Sequence, residues 1–148
     1  MRTLGAEFNN DSFTVYAEFT SPTLPGTGIF EMHNGDEAGR AGVSFNGSSE
    51  LQAFVVKNNS TIALSAKVAG ISSGKLAVSF SGVAMVFVID GTVVSTASYA
   101  GNPDLTFLDV ATYRNENSGQ ELNGSIKDFR IFPTALSDAE LITLTGGA

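Results

Sequence analysis

Apolar and polar residues alternate in short stretches along most of the chain. The clearest early stretch places Phe13, Val15, Ala17 and Phe19 at every second position, the period of two expected for a half-buried β-strand. Similar stretches recur about every 8 to 12 residues, with turn-forming residues between them, which is typical of one β-sandwich or barrel. The predicted strands cover residues 13–19, 29–32, 42–45, 51–56, 61–68, 76–80, 84–89, 92–94, 105–111 and 122–132.

The centre of the chain contains the strongest hairpin signal. Residues 84–89 are continuously apolar, as expected for a strand that is covered on both faces. Phe87 and Ile89 should face one side, and Val86 and Val88 the other. Asp90-Gly91 follows directly, and this pair accepts the positive φ angles of a type I′ turn.

The end of the chain predicts one short helix. Ser137 and Glu140 have the spacing of a capping box, in which the serine accepts from a backbone N–H and the glutamate reaches back. Leu141, Ile142 and Leu144 follow, and Gly146 is a suitable helix stop. All 148 residues therefore form one predicted domain, 1–148, because no linker-like tract interrupts the pattern.

Three stretches resemble a known family. Residues 122–141 are similar to the closing signature of laminin-G-like domains in the concanavalin A-like lectin and glucanase superfamily. In that signature a strand of the pattern G-x-I-x-[DE]-hydrophobic-R-hydrophobic-[FY] precedes an A-L-S-x-x-E segment. Residues 86–94 resemble the central hairpin of that family, and residues 13–19 its early strand. The resemblance implies an all-β fold, an antiparallel jelly-roll β-sandwich with one short C-terminal helix. It implies the fold more firmly than any ligand, since the Trp-His-His run of the family is replaced by Ser72-Ser73-Gly74-Lys75 and the chain has no tryptophan.

Charge narrows the classes of partner. The net charge is −7, from 8 basic and 15 acidic residues, and the basic residues are dispersed, which disfavours nucleic acid and anionic membranes. No apolar run reaches the 18 or so residues of a membrane span, so no membrane insertion is expected. The absence of cysteine excludes disulfides and thiolate metal sites. Neutral ligands, glycans and other proteins remain.

Catalysis and metal binding are both disfavoured. The E-x-D-x-x-E spacing of laminarinase-like relatives is absent, and Glu31, Asp36 and Glu37 lie at a strand exit, so an enzyme is not expected. Residues 33–37 and 115–117 supply oxygen ligands that suit Ca²⁺, but the same residues are common in turns. We therefore predict no cofactor, with Ca²⁺ as the alternative, and expect His33 to be an exposed turn residue.

A glycan site would combine aromatic and polar side chains in loops at the rim of the sandwich. Tyr16 and Tyr99 are aromatic candidates, although packing in the sheet explains Tyr16 better. The predicted site is formed by Asn34, Asp36, Tyr113, Arg114, Asn115 and Asn117.

Two hypotheses of function follow. In the first, the domain is a recognition module for a glycan or a host cell-surface receptor, since short cysteine-free versions resemble modules appended to phage tail fibres. In the second, it is a structural virion or assembly protein that oligomerises, for example as a trimer, and has no ligand site. Either hypothesis implies a location on a virion surface or outside the cell.

Overall fold

The structure is a computed structural model that describes residues 2–5, 8–20, 27–36, 38–111 and 124–146. Strands dominate the described residues, and one short helix follows them. The elements are β1 (Arg2–Thr3), β2 (Phe13–Thr20), β3 (Gly28–His33), β4 (Arg40–Phe45), β5 (Leu51–Lys57), β6 (Ser60–Leu64), β7 (Ser73–Phe80), β8 (Ala84–Ile89), β9 (Thr92–Ser98), β10 (Phe107–Val110), β11 (Ser125–Phe132) and α1 (Asp138–Thr145). No helix in this part of the chain is long and apolar enough to cross a membrane.

The strands form two antiparallel sheets. One has the order β1-β10-β3-β4-β5-β6, and the other has the order β11-β2-β7-β8-β9. Some neighbouring strands are distant in sequence, as in β10–β3 and β11–β2, because the chain passes repeatedly between the sheets. This arrangement confirms the predicted jelly-roll sandwich with one C-terminal helix.

The main core lies between the sheets and is formed by alternate residues of the strands. Phe13, Val15, Ala17 and Phe19 of β2 all belong to it and are at most 1% exposed. Their burial removes much apolar surface from water, which is the main favourable term in folding. The alternation that predicted β2 thus also determines which of its faces is buried.

A smaller core lies on the other face of the five-stranded sheet, beneath α1. Leu141 of the helix packs there with Tyr16, Ala77 and Val88, whereas Phe87 and Ile89 belong to the main core. Strand β8 is therefore covered on both faces, as its apolar run predicted. Asp90 and Gly91 have φ angles of 47° and 80°, which confirms the predicted type I′ hairpin.

The observed strands differ from the predicted ones mainly at their ends. The strand predicted over 61–68 ends at Leu64 because the Ser65 hydroxyl, not a backbone oxygen, accepts the Ala53 N–H at 2.9 Å. Strand β10 ends at Val110 because Ala111 has a φ of 63°. Strand β1 and residues 95–98 of β9 were not predicted, since they lack an apolar pattern.

Replacing Ser137 with alanine should lower the free energy of unfolding by about 1 kcal/mol. The predicted capping box is present: Ser137 Oγ accepts from the Glu140 N–H at 3.2 Å, and the Ser137 N–H donates to Glu140 Oε1 at 3.3 Å. Urea unfolding followed by circular dichroism measures the loss. Thr143→Ala, on the exposed side of α1, is the matched control and should change the value by less than about half as much. Equal effects of the two variants would show that the cap does not stabilise the domain.

Candidate functional site

The face of the six-stranded sheet that points away from the main core carries unusually polar side chains. Phe30 and Met32 of β3 point into the core, so Glu31 and His33 lie on the opposite face. The same alternation places Arg40 and Ser44 of β4, Gln52 of β5 and Asp109 of β10 on that face. We call this surface the outer face.

Four of these residues form a buried polar cluster, made of Glu31, His33, Arg40 and Asp109. The strand register places Asp109 opposite Glu31, and His33 opposite Arg40. Arg40 Nη1 donates to Glu31 Oε2 at 3.2 Å, and the His33 Nε2 atom lies 3.1 Å from Asp109 Oδ2. Glu31 and His33 are 0% exposed and Asp109 is 1% exposed. Buried charges of this kind need paired, hydrogen-bonded partners.

The prediction that His33 is an exposed turn residue is wrong. Strand β3 extends through residue 33, and the imidazole is buried beside the Phe107 ring, 5.5 Å away between centroids. His33 Nδ1 accepts from the Gly35 N–H at 3.1 Å, so the ring proton is on Nε2, which donates to Asp109. In this tautomer the ring is neutral.

A depression on the outer face lies beside this cluster, over strands β4, β5 and β6. It has a volume of about 150 Å³ and is lined by Arg40, Ser44, Gln52, Phe54, Val56, Thr61 and Leu64. We call it the β4–β6 depression. The Arg40 guanidinium lies over the Phe54 ring, 5.6 Å from its centroid. Gln52 Oε1 is buried and has no hydrogen-bond partner among the described residues.

The β4–β6 depression combines hydrogen-bonding groups with apolar ones. Arg40 offers guanidinium donors, Gln52 offers both a donor and an acceptor, and two hydroxyls come from Ser44 and Thr61. Phe54, Val56 and Leu64 add apolar surface. A small site with a few placed polar groups on an apolar base suits a ligand that presents both hydroxyl and C–H groups.

These residues were not predicted as a site from the sequence. Their only signal was their position: Arg40, Ser44 and Gln52 occupy the polar places of strands whose other residues are apolar. Polar residues that alternate with apolar ones are normal on a sheet that faces water on one side. The pairing of β4 with β5 was needed to bring Ser44 opposite Gln52.

The predicted rim-loop site lies partly in the described residues. Asn34 and Asp36 are exposed in the loop between β3 and β4. Asn34 Oδ1 accepts from the Asp36 N–H at 3.3 Å, and Asp36 Oδ1 accepts from the Ala38 N–H at 2.7 Å. These bonds stabilise the turn. The other members of that site, Tyr113, Arg114, Asn115 and Asn117, lie outside the described residues, so the rim-loop site stays a prediction.

The two other tyrosine candidates have structural roles. Tyr16 is 4% exposed and packs beneath α1, which confirms the packing interpretation. The Tyr99 hydroxyl accepts from the Gly82 N–H at 3.1 Å and donates to Asn102 Oδ1. Burial raises the pKa of Tyr99 above its usual value, and the hydrogen bond from Gly82 opposes this shift more weakly. Tyr99 therefore anchors the loop at Asn102.

The predicted calcium loops give no metal centre in the described part of the chain. No group of three or more His, Asp or Glu side chains there could hold a metal ion. Glu37 and residues 115–117 lie outside the described residues.

A larger depression on the five-stranded sheet is less suited to specific binding. It has a volume of about 470 Å³ and is lined by Glu18, Lys75, Asp90 and Lys127, among others. Asp90 Oδ1 already accepts the Lys75 N–H at 2.9 Å. The depression contains both acidic and basic side chains, and two of them, Asp90 and Lys127, are exposed to solvent. In the β4–β6 depression, by contrast, Arg40 is held in place by the buried Glu31 carboxylate.

Comparison with known proteins agrees with the fold and the resemblance. A family model described as the concanavalin A-like lectin/glucanases superfamily matches residues 2–142. The chain therefore belongs to this superfamily, as its closing strand and central hairpin predicted. No curated protein sequence gives a significant match.

Several solved structures share the fold of this chain at low sequence identity. The CBM40 domain of the Ruminococcus gnavus IT-sialidase, bound to α2,3-sialyllactose, has a TM-score of 0.73 and 14% identity, covering 93% of this chain and 84% of that one. Domain 4 of the arabinanase AbnA from Geobacillus stearothermophilus, with arabinotriose, has a TM-score of 0.65 and 12% identity, with coverages of 93% and 68%. A pentraxin from Limulus polyphemus has a TM-score of 0.68 and 16% identity, with coverages of 97% and 72%.

Proposed function

We propose that this domain is a non-catalytic carbohydrate-binding module whose β4–β6 depression holds the sugar. The observation that carries the proposal is the fixed position of Arg40. Its guanidinium is held by the buried Glu31 carboxylate on one side and by the Phe54 ring beneath it. Gln52, Ser44 and Thr61 surround it with further hydrogen-bonding groups.

Side chains that are already held in place favour tight binding, because few of them lose conformational freedom when the ligand binds. Immobilising a flexible side chain costs about 0.5–1.5 kcal/mol, and arginine has many rotamers in its free form. Here the ion pair with Glu31 restrains Arg40 before any ligand arrives. The small volume of the depression, about 150 Å³, suits a single sugar unit and not a long chain.

Similar structures support the same function. Two of the fold neighbours were solved with bound oligosaccharides, sialyllactose in one and arabinotriose in the other. These neighbours show that the sandwich accommodates glycans in proteins of this fold.

The chemistry of the depression supports binding without catalysis. Glycoside hydrolysis generally needs two carboxyl groups that flank the scissile bond. The described residues that line the depression include no carboxylate. Glu31 lies behind Arg40 and is fully buried, so it does not face a ligand.

A glycan array followed by calorimetry tests this proposal. Gln52→Ala should weaken the binding of the best array glycan about 5- to 30-fold, since a lost hydrogen bond in a partly buried site costs about 1–2 kcal/mol. Thr61→Ala and Thr96→Ala form a matched pair: both are exposed threonines in edge strands, but only Thr61 lines the depression. Thr61→Ala should reduce affinity, and Thr96→Ala should not. Binding by no glycan would contradict the proposed function.

The rim-loop site is tested by the same titrations. If Tyr113→Ala with Arg114→Ala abolishes binding while Gln52→Ala leaves it intact, then the sugar binds in the loops and not in the β4–β6 depression. Loss of binding in both variants would indicate one site that extends from the sheet to the loops.

The wider setting is part of the proposal. We propose that the module acts on a virion surface or outside the cell, where it recognises a glycan or a host cell-surface receptor, because short cysteine-free versions of this domain that are rich in Asn, Ser, Thr and Gly resemble modules appended to phage tail fibres. Light scattering tests the related trimer: a mass near three times 15.4 kDa would support it, and a monomer would contradict it.

A further inference from the structure

We infer that the loop between β3 and β4 is a site of self-modification, in which the Asn34 side chain loses ammonia to the backbone nitrogen of Gly35 and ends as aspartate or isoaspartate. An asparagine that precedes glycine can close a five-membered succinimide ring, because glycine has no Cβ to oppose the approach of its nitrogen to the asparagine Cγ atom. The structure places a base at the attacking nitrogen of Gly35 and a hydrogen-bond donor at the side-chain carbonyl of Asn34.

His33 is placed to act as the base. Its Nδ1 atom accepts a hydrogen bond from the Gly35 N–H at 3.1 Å, so its lone pair points at the proton that the attacking nitrogen must lose. The Nε2 atom carries the ring proton and lies 3.1 Å from Asp109 Oδ2, which leaves Nδ1 unprotonated and able to accept a proton. A base within hydrogen-bond distance of the proton that it removes is the arrangement that general base catalysis requires.

The Asn34 side chain is held with its carbonyl group polarised. Asn34 Oδ1 accepts from the Asp36 N–H at 3.3 Å. Negative charge develops on this oxygen when the Gly35 nitrogen attacks Cγ, and a backbone N–H directed at such an oxygen stabilises the charge. The Asn34 N–H also donates to the Gly39 carbonyl oxygen at 3.2 Å. Both the backbone and the side chain of the reacting residue are therefore restrained before the reaction, which lowers its entropic cost.

The reaction balances with water as its one co-reactant. A bond forms between Gly35 N and Asn34 Cγ, and the Gly35 N–H proton passes to His33 Nδ1. The Cγ–Nδ2 bond then breaks, and the imidazolium returns the proton to the leaving nitrogen, which departs as ammonia. Asn34 and Gly35 are exposed, so water reaches the succinimide and opens it at either carbonyl. The product adds a carboxylate to the predicted rim-loop site, where Asn34 had a neutral amide.

A second Asn-Gly pair, Asn46-Gly47, gives a comparison within the same molecule. Asn46 Oδ1 accepts from the Ser48 and Glu50 N–H groups at 2.8 and 3.0 Å, and its Nδ2 donates to Glu50 Oε1 at 3.1 Å. In the described part of the chain no side chain accepts from the Gly47 N–H. This pair has donors at its carbonyl oxygen but no base at its attacking nitrogen, so the fold should slow its reaction by restraining the side chain.

Peptide mapping by mass spectrometry measures both asparagines in one sample, with isoaspartate detected by enzymatic methylation. The protein is incubated folded and, at the same pH, unfolded in urea, where the two Asn-Gly pairs have similar freedom. We expect Asn34 to react at least about tenfold faster folded than in urea, since a placed base contributes about 10²–10⁴-fold. Asn46 should react more slowly folded than in urea. An Asn34 rate that is no higher in the folded protein than in urea would overturn the inference.

Two variants separate the base from its hydrogen bonds. His33→Asn keeps a side-chain oxygen that can accept the Gly35 N–H but cannot take its proton, and His33→Gln keeps a donor for Asp109. In either variant that folds, the Asn34 rate should fall at least about tenfold, and the Asn46 rate should stay the same. An unchanged Asn34 rate in a folded variant would overturn the inference. If neither variant folds, the comparison between folded and urea-unfolded protein of the unmodified sequence decides.

Discussion

Replacing Phe87 with alanine should lower the free energy of unfolding by about 3–5 kcal/mol, the range for a buried phenylalanine. Phe87 lies in the middle of β8, is 0% exposed, and packs in the main core between the sheets. The strands on either side of β8 are β7 and β9, so the backbone is held on both sides and collapses little around the cavity. A loss of this size is a large part of the stability of a domain.

Urea unfolding followed by fluorescence or circular dichroism measures the effect of Phe87→Ala. The slope of free energy against urea concentration should stay constant if only the native state is destabilised. Val83→Ala is the control, because Val83 is 70% exposed and should change stability by less than about half a kcal/mol. An equally small change for Phe87→Ala would contradict the observed register of β8.

Replacing Arg40 with alanine should cost about 3 kcal/mol of stability, since it removes the guanidinium from a buried carboxylate. Arg40 is an outer-face residue whose side chain is only 13% exposed, and Glu31 is fully buried. The protein is expected to lose glycan binding as well, but the binding loss is interpretable only at temperatures where the variant is folded.

A double variant separates the charge from the packing. Glu31→Leu combined with Arg40→Met removes both charges and keeps most of the apolar volume, so it should be more stable than Arg40→Ala alone. Thermal unfolding of Glu31→Leu, of Arg40→Met and of the double variant gives the coupling energy between the two side chains. Additive losses would show that the ion pair does not determine the stability of the outer face.

The sandwich was predictable because its signals are local. Period-two alternation identified β2, the apolar run identified β8, and Asp90-Gly91 identified the turn between β8 and β9. The helix followed from one capping box. Strand ends were less predictable, since the end of β6 depends on a hydroxyl of Ser65 that bonds to a neighbouring strand.

The outer-face site was not predictable for a different reason. The local sequence places His33 directly before an Asn-Gly-Asp turn. Its burial depends on strand β10, which lies more than 70 residues further along the chain. Arg40, Gln52 and Thr61 are ordinary polar positions of separate strands until the sheet aligns them. The site residues predicted from the sequence were instead polar and aromatic residues in loops. Two of them, Asn34 and Asp36, lie in the described part of the chain, and their side chains accept hydrogen bonds from backbone N–H groups of the same turn.

An NMR titration of the ¹⁵N-labelled domain with the best glycan from the array tests directly whether the sugar binds in the β4–β6 depression. We expect the backbone amide signals of Arg40, Ser44, Gln52 and Thr61, and the side-chain amide signal of Gln52, to shift with one common dissociation constant. The amide signals of residues in the five-stranded sheet, such as Lys75 and Thr96, should not shift. Shifts confined to that second sheet, or to the rim loops alone, would contradict a glycan site in the β4–β6 depression.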